Sequence, residues 1–103
     1  MARMLVIYKT PQDTAAFDKH YFEIHVPLAK KLPGLRKYEI SRGAITALAG
    51  GEAYMVAELH FDDLAAIRAA FASEVGKACG ADRQNFAPDP TSFQMFLFED
   101  RTV

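Results

Sequence analysis

Residues 17–41, FDKHYFEIHVPLAKKLPGLRKYEIS, decide the fold of this chain. The stretch reads as a helix that is stopped by the Leu-Pro-Gly motif at residues 32–34 and is followed at once by a strand. Pro27 lies inside the helical part, shortly after His25. Proline has no N–H for the carbonyl of Glu23 and its ring crowds the preceding turn, so we expect a kink beside His25. A kinked turn next to an imidazole favours a small-ligand site there.

Outward from this stretch, the pattern predicts four strands and two main helices. Short β-branched and aromatic runs bounded by turn residues indicate the strands, and aspartates that can cap indicate where the helices begin. The predicted elements are a strand at 4–9, a helix from Asp13 or Thr14 to about Leu32, strands at 35–42 and 53–61, a helix after Asp62 or Asp63 with further turns to Asn85, and a strand at 92–98. This β-α-β-β-α-β order predicts one ferredoxin-like α+β domain over residues 1–103, an antiparallel sheet with both helices on one face.

The first and last strands carry apolar side chains on both of their faces. In the last strand Phe93, Met95 and Leu97 alternate with Phe96 and Phe98. Two helices on one side cannot cover the second face, and a large exposed apolar face marks an interaction surface. A second copy of the same sheet is the simplest cover, so we expect a homodimer packed sheet to sheet.

Composition excludes several classes of protein. The net charge of −1 and a pI near 6.3 give no broad attraction to nucleic acid or to an anionic membrane. No apolar run is long enough to span a membrane. A single cysteine, Cys79, cannot form an internal disulfide and fits a reducing, cytoplasmic setting. No glycine-rich phosphate loop is present, and we expect no cofactor.

The first helix is apolar over an unusually wide arc. At about 100° per residue, one stripe should rest on the sheet and a second should lie well round the helix. The sheet-facing stripe is Phe17, Tyr21, Ile24, Leu28 and Leu32; the second is Phe22, Val26 and Ala29. His25 lies between these stripes, whereas His20 lies at the polar border and is expected on the surface.

His25 is the strongest candidate for chemistry. A histidine in apolar surroundings titrates near neutrality and suits a general base. The alternative is a structural histidine bonded to a backbone carbonyl, for example the one that Pro27 frees. Tyr8, Tyr38 and Tyr54 can point hydroxyl groups into a cavity, although such residues are often ordinary strand positions.

Two polar residues of the third strand are also candidates. Glu58 and His60 alternate with the plainly apolar positions of that strand, so they lie on the side expected to face the dimer partner. There they either form structural hydrogen bonds or contact a ligand.

No metal site is expected. His20 and His25 are about 140° apart on a regular helix, whereas residues that share one metal ion are three or four apart. No H-E-x-x-H motif is present. Cys79 has no acid–base pair beside it, which argues against a nucleophile.

Several motifs resemble the EthD family, named for a protein of ethyl tert-butyl ether degradation. They are Phe17…His20-Tyr21…His25-Val26-Pro27-Leu28…Leu32-Pro33-Gly34-Leu35…Tyr38, then Ala57-Glu58-Leu59-His60-Phe61-Asp62, an alanine-rich helix, and Asp82…Asn85-Phe86. The resemblance covers nearly the whole chain. It implies the dimeric α+β-barrel fold and an association with oxidative breakdown of organic compounds.

Together these observations predict a small-molecule-binding homodimer. An apolar, oxygen-bearing organic molecule would lie between sheet and helices, with His25 as the base of a cofactor-free oxidoreductase, monooxygenase, cyclase or isomerase. The alternative is a non-catalytic carrier or accessory protein that assists a partner oxygenase through the loop at 45–48 or through Phe22 and Val26. The glycine-bounded loop Gly43–Gly51 is either a mobile lid or a hairpin packed on the dimer partner.

Overall fold

The computed structural model describes every residue from Met1 to Val103. Its centre is a four-stranded antiparallel sheet with the order β2-β3-β1-β4. The strands are β1 (Ala2–Tyr8), β2 (Lys37–Ile40), β3 (Met55–Phe61) and β4 (Phe93–Glu99). The helical elements are α1 (Thr14–His20), a π-helical turn (Tyr21–His25), α2 (Val26–Ala29), α3 (Leu64–Ala72) and α4 (Glu74–Phe86). The predicted ferredoxin-like order is confirmed.

The first helical segment is continuous from α1 to α2 but contains one π-helical turn. Asp13 caps its start, because its Oδ1 accepts the N–H of Ala16 at 3.0 Å. Within the turn, the N–H of Val26 donates to the carbonyl of Tyr21, five residues back. Pro27 then lies in the first turn of α2, where a missing N–H is tolerated. The irregularity expected beside His25 is therefore a π turn that precedes the proline.

The π turn moves the buried stripe by one residue. Sheet-facing positions after Tyr21 fall on His25 and Ala29, and Ile24 is left 50% exposed. The prediction that Ile24 rests on the sheet is wrong, because a regular helix was assumed and the π turn inserts one extra residue. Ala29, predicted for the second stripe, is buried in the core instead.

The two faces of the sheet differ in composition. The face under the helices is apolar and closed: Met4, Val6 and Tyr8 of β1 alternate inward beside Ala57 and Leu59 of β3. The outer face carries the opposite set: Arg3, Leu5, Ile7, Lys37, Glu39, Val56, Glu58, His60, Gln94, Phe96 and Phe98. Edge strand β4 shows apolar residues on both faces, and its four central residues, 95–98, are 38–46% exposed.

Helices α3 and α4 meet at a tight junction that sets the direction of α4. Ser73 caps α4, since its Oγ accepts the N–H of Gly76 at 3.1 Å. A Cβ on Gly76 would collide with the backbone of Ala70, so only glycine lets α4 begin so close to the end of α3. The helix then runs 13 residues, longer than the extra turns predicted. Residues 41–54 form no helix or strand, and none of the helices has the length and apolar character needed to cross a membrane.

Candidate functional site

A cavity of about 100 Å³ lies between the sheet and the helices. It has 15 lining residues, 12 of them hydrophobic, and they come from all four strands and from the helical layer above the sheet. Few polar groups therefore face a mostly apolar space, the usual composition of a small-molecule site. The lining residues that carry polar atoms are Tyr8, Tyr21, His25, Tyr38, Cys79 and Arg83.

One buried carboxylate of α4 binds both histidines of the first helical segment. Asp82 Oδ2 accepts a hydrogen bond from His25 Nδ1 at 2.9 Å, and its Oδ1 accepts one from His20 Nε2 at 2.8 Å. The amide of Asn85 donates a third hydrogen bond at 3.2 Å. The ring of Phe86 contacts both imidazoles, with centroids 4.7 Å from His25 and 5.6 Å from His20. This His20–Asp82–His25 cluster is fully hydrogen-bonded at its carboxylate and is packed on an aromatic ring.

The π turn is what brings His20 and His25 together. Residues five apart diverge by about 140° on an α-helix, but π-helical hydrogen bonds join residues i and i+5, so such residues lie nearly one above the other. The expectation that His20 is a surface residue is wrong, since it is half-buried against Asp82. The separation of about 140° applies only to an unbroken α-helix, and this segment is interrupted by the π turn.

The hydrogen bonds fix the roles of the two ring nitrogens of His25. A carboxylate only accepts, so Nδ1 carries the proton in the neutral ring and Nε2 is the free, basic nitrogen. Burial lowers the pKa of His25 below its ordinary value, and the bond to Asp82 opposes this only in part. Burial acts to raise the pKa of Asp82, yet the hydrogen bonds from His25, His20 and Asn85 outweigh it and hold that pKa below its usual range. In the resting state the imidazole of His25 is thus neutral and the carboxylate of Asp82 is ionised.

Three tyrosines and one arginine complete the polar lining of the cavity. The hydroxyl groups of Tyr21 and Tyr38 lie 2.6 Å apart and share a hydrogen bond. Burial raises the pKa of Tyr38 to about 12, and it also raises the pKa of Tyr8, so these groups stay protonated and can donate. Arg83 follows Asp82 on α4, and its guanidinium lies 4.3 Å from the ring centre of Phe93. The cavity therefore offers one base, several hydroxyl donors and one cation.

The remaining sequence candidates lie away from this cavity. The hydroxyl of Tyr54 donates to Asp18 at 2.8 Å and its ring packs on Phe17, so it supports α1. Tyr54 also precedes β3, which starts at Met55. Glu58 and His60 lie on the outer face of the sheet, opposite the cavity.

Sequence reasoning gave no role to Asp82 or Arg83. A signal for Asp82 was present, because Val75, Cys79 and Phe86 mark an apolar stripe on α4 into which residue 82 falls by helical spacing. An acidic residue inside such a stripe is buried, and a buried carboxylate requires partners. Arg83 has no comparable signal in the sequence.

A sheet with helices on one face and an apolar cavity between them defines a ferredoxin-like α+β protein, a fold that the chain shares with solved structures. Residues 9–90 match the EthD domain. The chain therefore belongs to the EthD family, as its motifs predicted.

Two relatives and one more distant solved structure are similar to this chain over nearly its whole length. An uncharacterised 11.0 kDa protein from the thcB-thcC intergenic region of Rhodococcus erythropolis is 39% identical over 105 residues, covering 100% of this chain and 98% of that one. An EthD family protein of Bacillus halodurans is 32% identical with a TM-score of 0.87, covering 98% of this chain and 99% of that one. SnoaB, a cofactor-independent oxygenase from Streptomyces nogalater, shares the fold at a TM-score of 0.69 and 16% identity, covering 99% and 94% of the two chains.

Proposed function

We propose that this protein binds a small, mostly apolar organic molecule between sheet and helices and removes a proton from it with His25. The observation that carries the proposal is the bond of His25 Nδ1 to Asp82 beside an apolar cavity. This bond directs the basic nitrogen, Nε2, away from the carboxylate and stabilises the imidazolium that forms when the proton is taken. Asp82 acts as the positioning residue and remains ionised throughout.

The substrate class follows from the groups that line the cavity. A molecule with an acidic O–H or an activated C–H becomes an anion when His25 removes its proton. Arg83 and the hydroxyl groups of Tyr8 and Tyr38 supply positive charge and hydrogen bonds for that anion. The anion can then transfer electrons to dioxygen, giving a cofactor-free oxidoreductase or monooxygenase, or rearrange, giving a cyclase or isomerase. The fold shared with a cofactor-independent oxygenase supports the first pair.

The size of the cavity limits the size of the substrate. An engineered apolar cavity of about 150 Å³ holds one benzene molecule, whereas this cavity measures about 100 Å³. The site as it stands is therefore smaller than a cavity that holds one benzene ring, and a substrate that contains a ring would have to move the wall. Met95 of β4 lines the cavity and is half-exposed, so it is the part of the wall best able to move.

Oxygen uptake with defined probes tests the catalytic part of this proposal. Hydroquinone supplies an acidic O–H and is readily oxidised, and anisole is the ring probe without an acidic proton. We expect uptake with hydroquinone only, and a loss of about 10²- to 10⁴-fold in His25→Gln. Asp82→Asn should be similarly impaired, and Glu23→Gln, which changes an exposed acid on the same helix, should match the unaltered protein. Equal rates in His25→Gln would contradict the role of His25.

The form that we propose to act is a homodimer joined through the outer faces of two sheets. The support is the exposed apolar surface of edge strand β4 together with Leu5 and Ile7 on the same sheet. Phe96→Glu places a charge on that surface and should yield monomers in sedimentation equilibrium at micromolar concentration. Phe22→Glu is the matched control, since Phe22 is equally exposed but belongs to the helical side. A monomeric unaltered protein would exclude the dimer.

A carrier or accessory role is the second candidate. Three large side chains outside the sheet favour it, because Phe22 and Ile24 are each half-exposed on the π turn and Leu48 is 95% exposed in the loop after β2. Such a surface would bind a partner protein, for example an oxygenase that uses the carried molecule. Native mass spectrometry of protein purified from its own cells separates the candidates: a retained organic molecule whose binding survives His25→Gln, with no turnover, indicates a carrier.

A further inference from the structure

A second histidine–carboxylate cluster lies on the outer face of the sheet. Glu39 of β2 is directly opposite Glu58 of β3, and His60 lies two residues further along β3. His60 Nε2 is 3.3 Å from an oxygen of Glu39 and 3.6 Å from an oxygen of Glu58. The three candidate ligand atoms all lie within 4.8 Å of one another.

The position of His60 in this cluster is unusual. The residue is only 6% exposed, and its Nε2 is a buried polar atom without a hydrogen-bond partner. Buried polar atoms are nearly always satisfied, so an unpaired imidazole nitrogen facing two carboxylates needs a physical reason. Two glutamates directly opposite each other on neighbouring strands also repel and destabilise the pair.

The cations nearby offset this charge only in part. Arg3 reaches Glu58 at 3.4 Å, but its guanidinium also binds Asp100 at 3.3 Å. Lys37 reaches Glu39 at 3.5 Å from an exposed position. Neither of these groups contacts His60 Nε2, so the nitrogen still lacks a partner.

The geometry points to a divalent transition-metal site formed by His60 Nε2 and one oxygen each from Glu39 and Glu58. One imidazole and two carboxylates suit Zn²⁺ and related first-row ions. Two ligands of a tetrahedral zinc ion, each about 2.0–2.1 Å from the metal, lie about 3.4 Å apart. The two measured spacings around His60, 3.3 and 3.6 Å, are close to that value. A three-ligand site leaves a coordination position open for water or another ligand.

Helix spacing could not reveal this cluster from the sequence. Its members come from two strands, and strand pairing, rather than proximity along the chain, brings Glu39 to Glu58. The metal inference is independent of the His25 proposal, because the two clusters lie on opposite faces of the sheet.

Zinc titration of the chelator-treated protein tests the site. We expect isothermal titration calorimetry with ZnCl₂ to show one saturable ion per chain, with a rise in melting temperature on saturation. His60→Gln and Glu58→Gln should weaken zinc binding at least tenfold and abolish that rise. MgCl₂, a hard ion that disfavours imidazole, should bind much more weakly.

Control variants separate this site from other zinc binding. Glu23→Gln removes an exposed carboxylate elsewhere and should leave the titration unchanged. Asp82→Asn removes the carboxylate of the other histidine cluster and should also leave it unchanged. If His60→Gln fails to fold, Glu39→Gln decides, since Glu39 is exposed and its amide preserves side-chain size. No saturable binding, or binding lost in Asp82→Asn and kept in His60→Gln, would overturn the inference.

Discussion

The two faces of the sheet carry histidine–carboxylate clusters with opposite proportions. Beneath the helices, one carboxylate, Asp82, accepts hydrogen bonds from two histidines and an asparagine. On the outer face, one histidine faces two carboxylates and bonds to neither. Both clusters contain a nearly buried imidazole, so burial alone does not distinguish them.

The two clusters differ in how many of their polar atoms are hydrogen-bonded, and this difference determines the chemistry that suits each cluster. The inner cluster is satisfied at its acid and has one free basic nitrogen, which suits the transfer of a proton. The outer cluster has excess negative charge and an unused nitrogen, which suits the binding of a cation. Removing individual side chains should therefore have unequal effects on the two faces.

The largest effect on stability is expected for Asp82→Ala. Its loss leaves the ring N–H groups of His25 and His20 without their acceptor, at a cost of about 1–3 kcal/mol for each unpaired donor. Each kcal/mol lowers the melting temperature of a domain this size by roughly 4–8 °C. Asp62→Ala is the control, since that carboxylate pairs with Arg36 on the exposed surface and its loss should barely alter the melt. Similar melting temperatures for the two variants would mean that the inner cluster adds no stability.

A smaller loss is expected for His25→Ala. The change removes one hydrogen bond to an ionised group, at a cost of about 1.5–3 kcal/mol, while Asp82 keeps His20 and Asn85 as partners. His25→Gln can still donate to Asp82 and should recover part of the loss in thermal melts. Substantial rescue by glutamine together with unchanged ligand binding and turnover would make His25 a scaffold residue rather than a base.

The inner cluster also predicts a loss of stability in acid. The pKa of His25 lies below the ordinary 6.5 because of burial, so below pH 6.5 the unfolded chain binds a proton that the folded chain does not. Stability should fall as pH drops from 6.5 towards that lowered pKa. The lowered pKa of Asp82 extends the loss below pH 3.8. In urea unfolding of His25→Gln, the free energy of unfolding should no longer fall between pH 6.5 and the lowered pKa of His25. An unchanged slope in that range would contradict the lowered pKa of His25.

The smallest effect is expected for Ile24→Ala. The side chain is half-exposed on the π turn, so its removal should cost less than about 1 kcal/mol. Leu32→Ala, at a buried position just after the same segment, should cost about 2–5 kcal/mol. Equal losses would show that the segment is a regular helix in solution, with Ile24 on the sheet.

The fold could be predicted from local patterns, but the site could not. Caps at Asp13 and Asp63, the stop at Gly34 and the alternation of β3 are all short-range signals, and they gave the element order. The partners of His25 depend on contacts between distant segments: Asp82 lies 57 residues away along the chain. A single irregular turn also altered which side chains face inward, and the sequence carries no clear mark of it beyond Pro27.

The π turn also gives a rule for comparing chains of this family. It accommodates one residue more than a regular helix between the Asp13 cap and the Leu-Pro-Gly stop. A relative that is one residue shorter in this span can keep both histidines, both ends of the helix and the same sheet. Its histidines would nevertheless diverge, and only one of them could reach the acid on α4. A one-residue gap in this span of an alignment would therefore distinguish two kinds of chain. Those without the gap can form the His20–Asp82–His25 cluster, and those with it only have the same residue types.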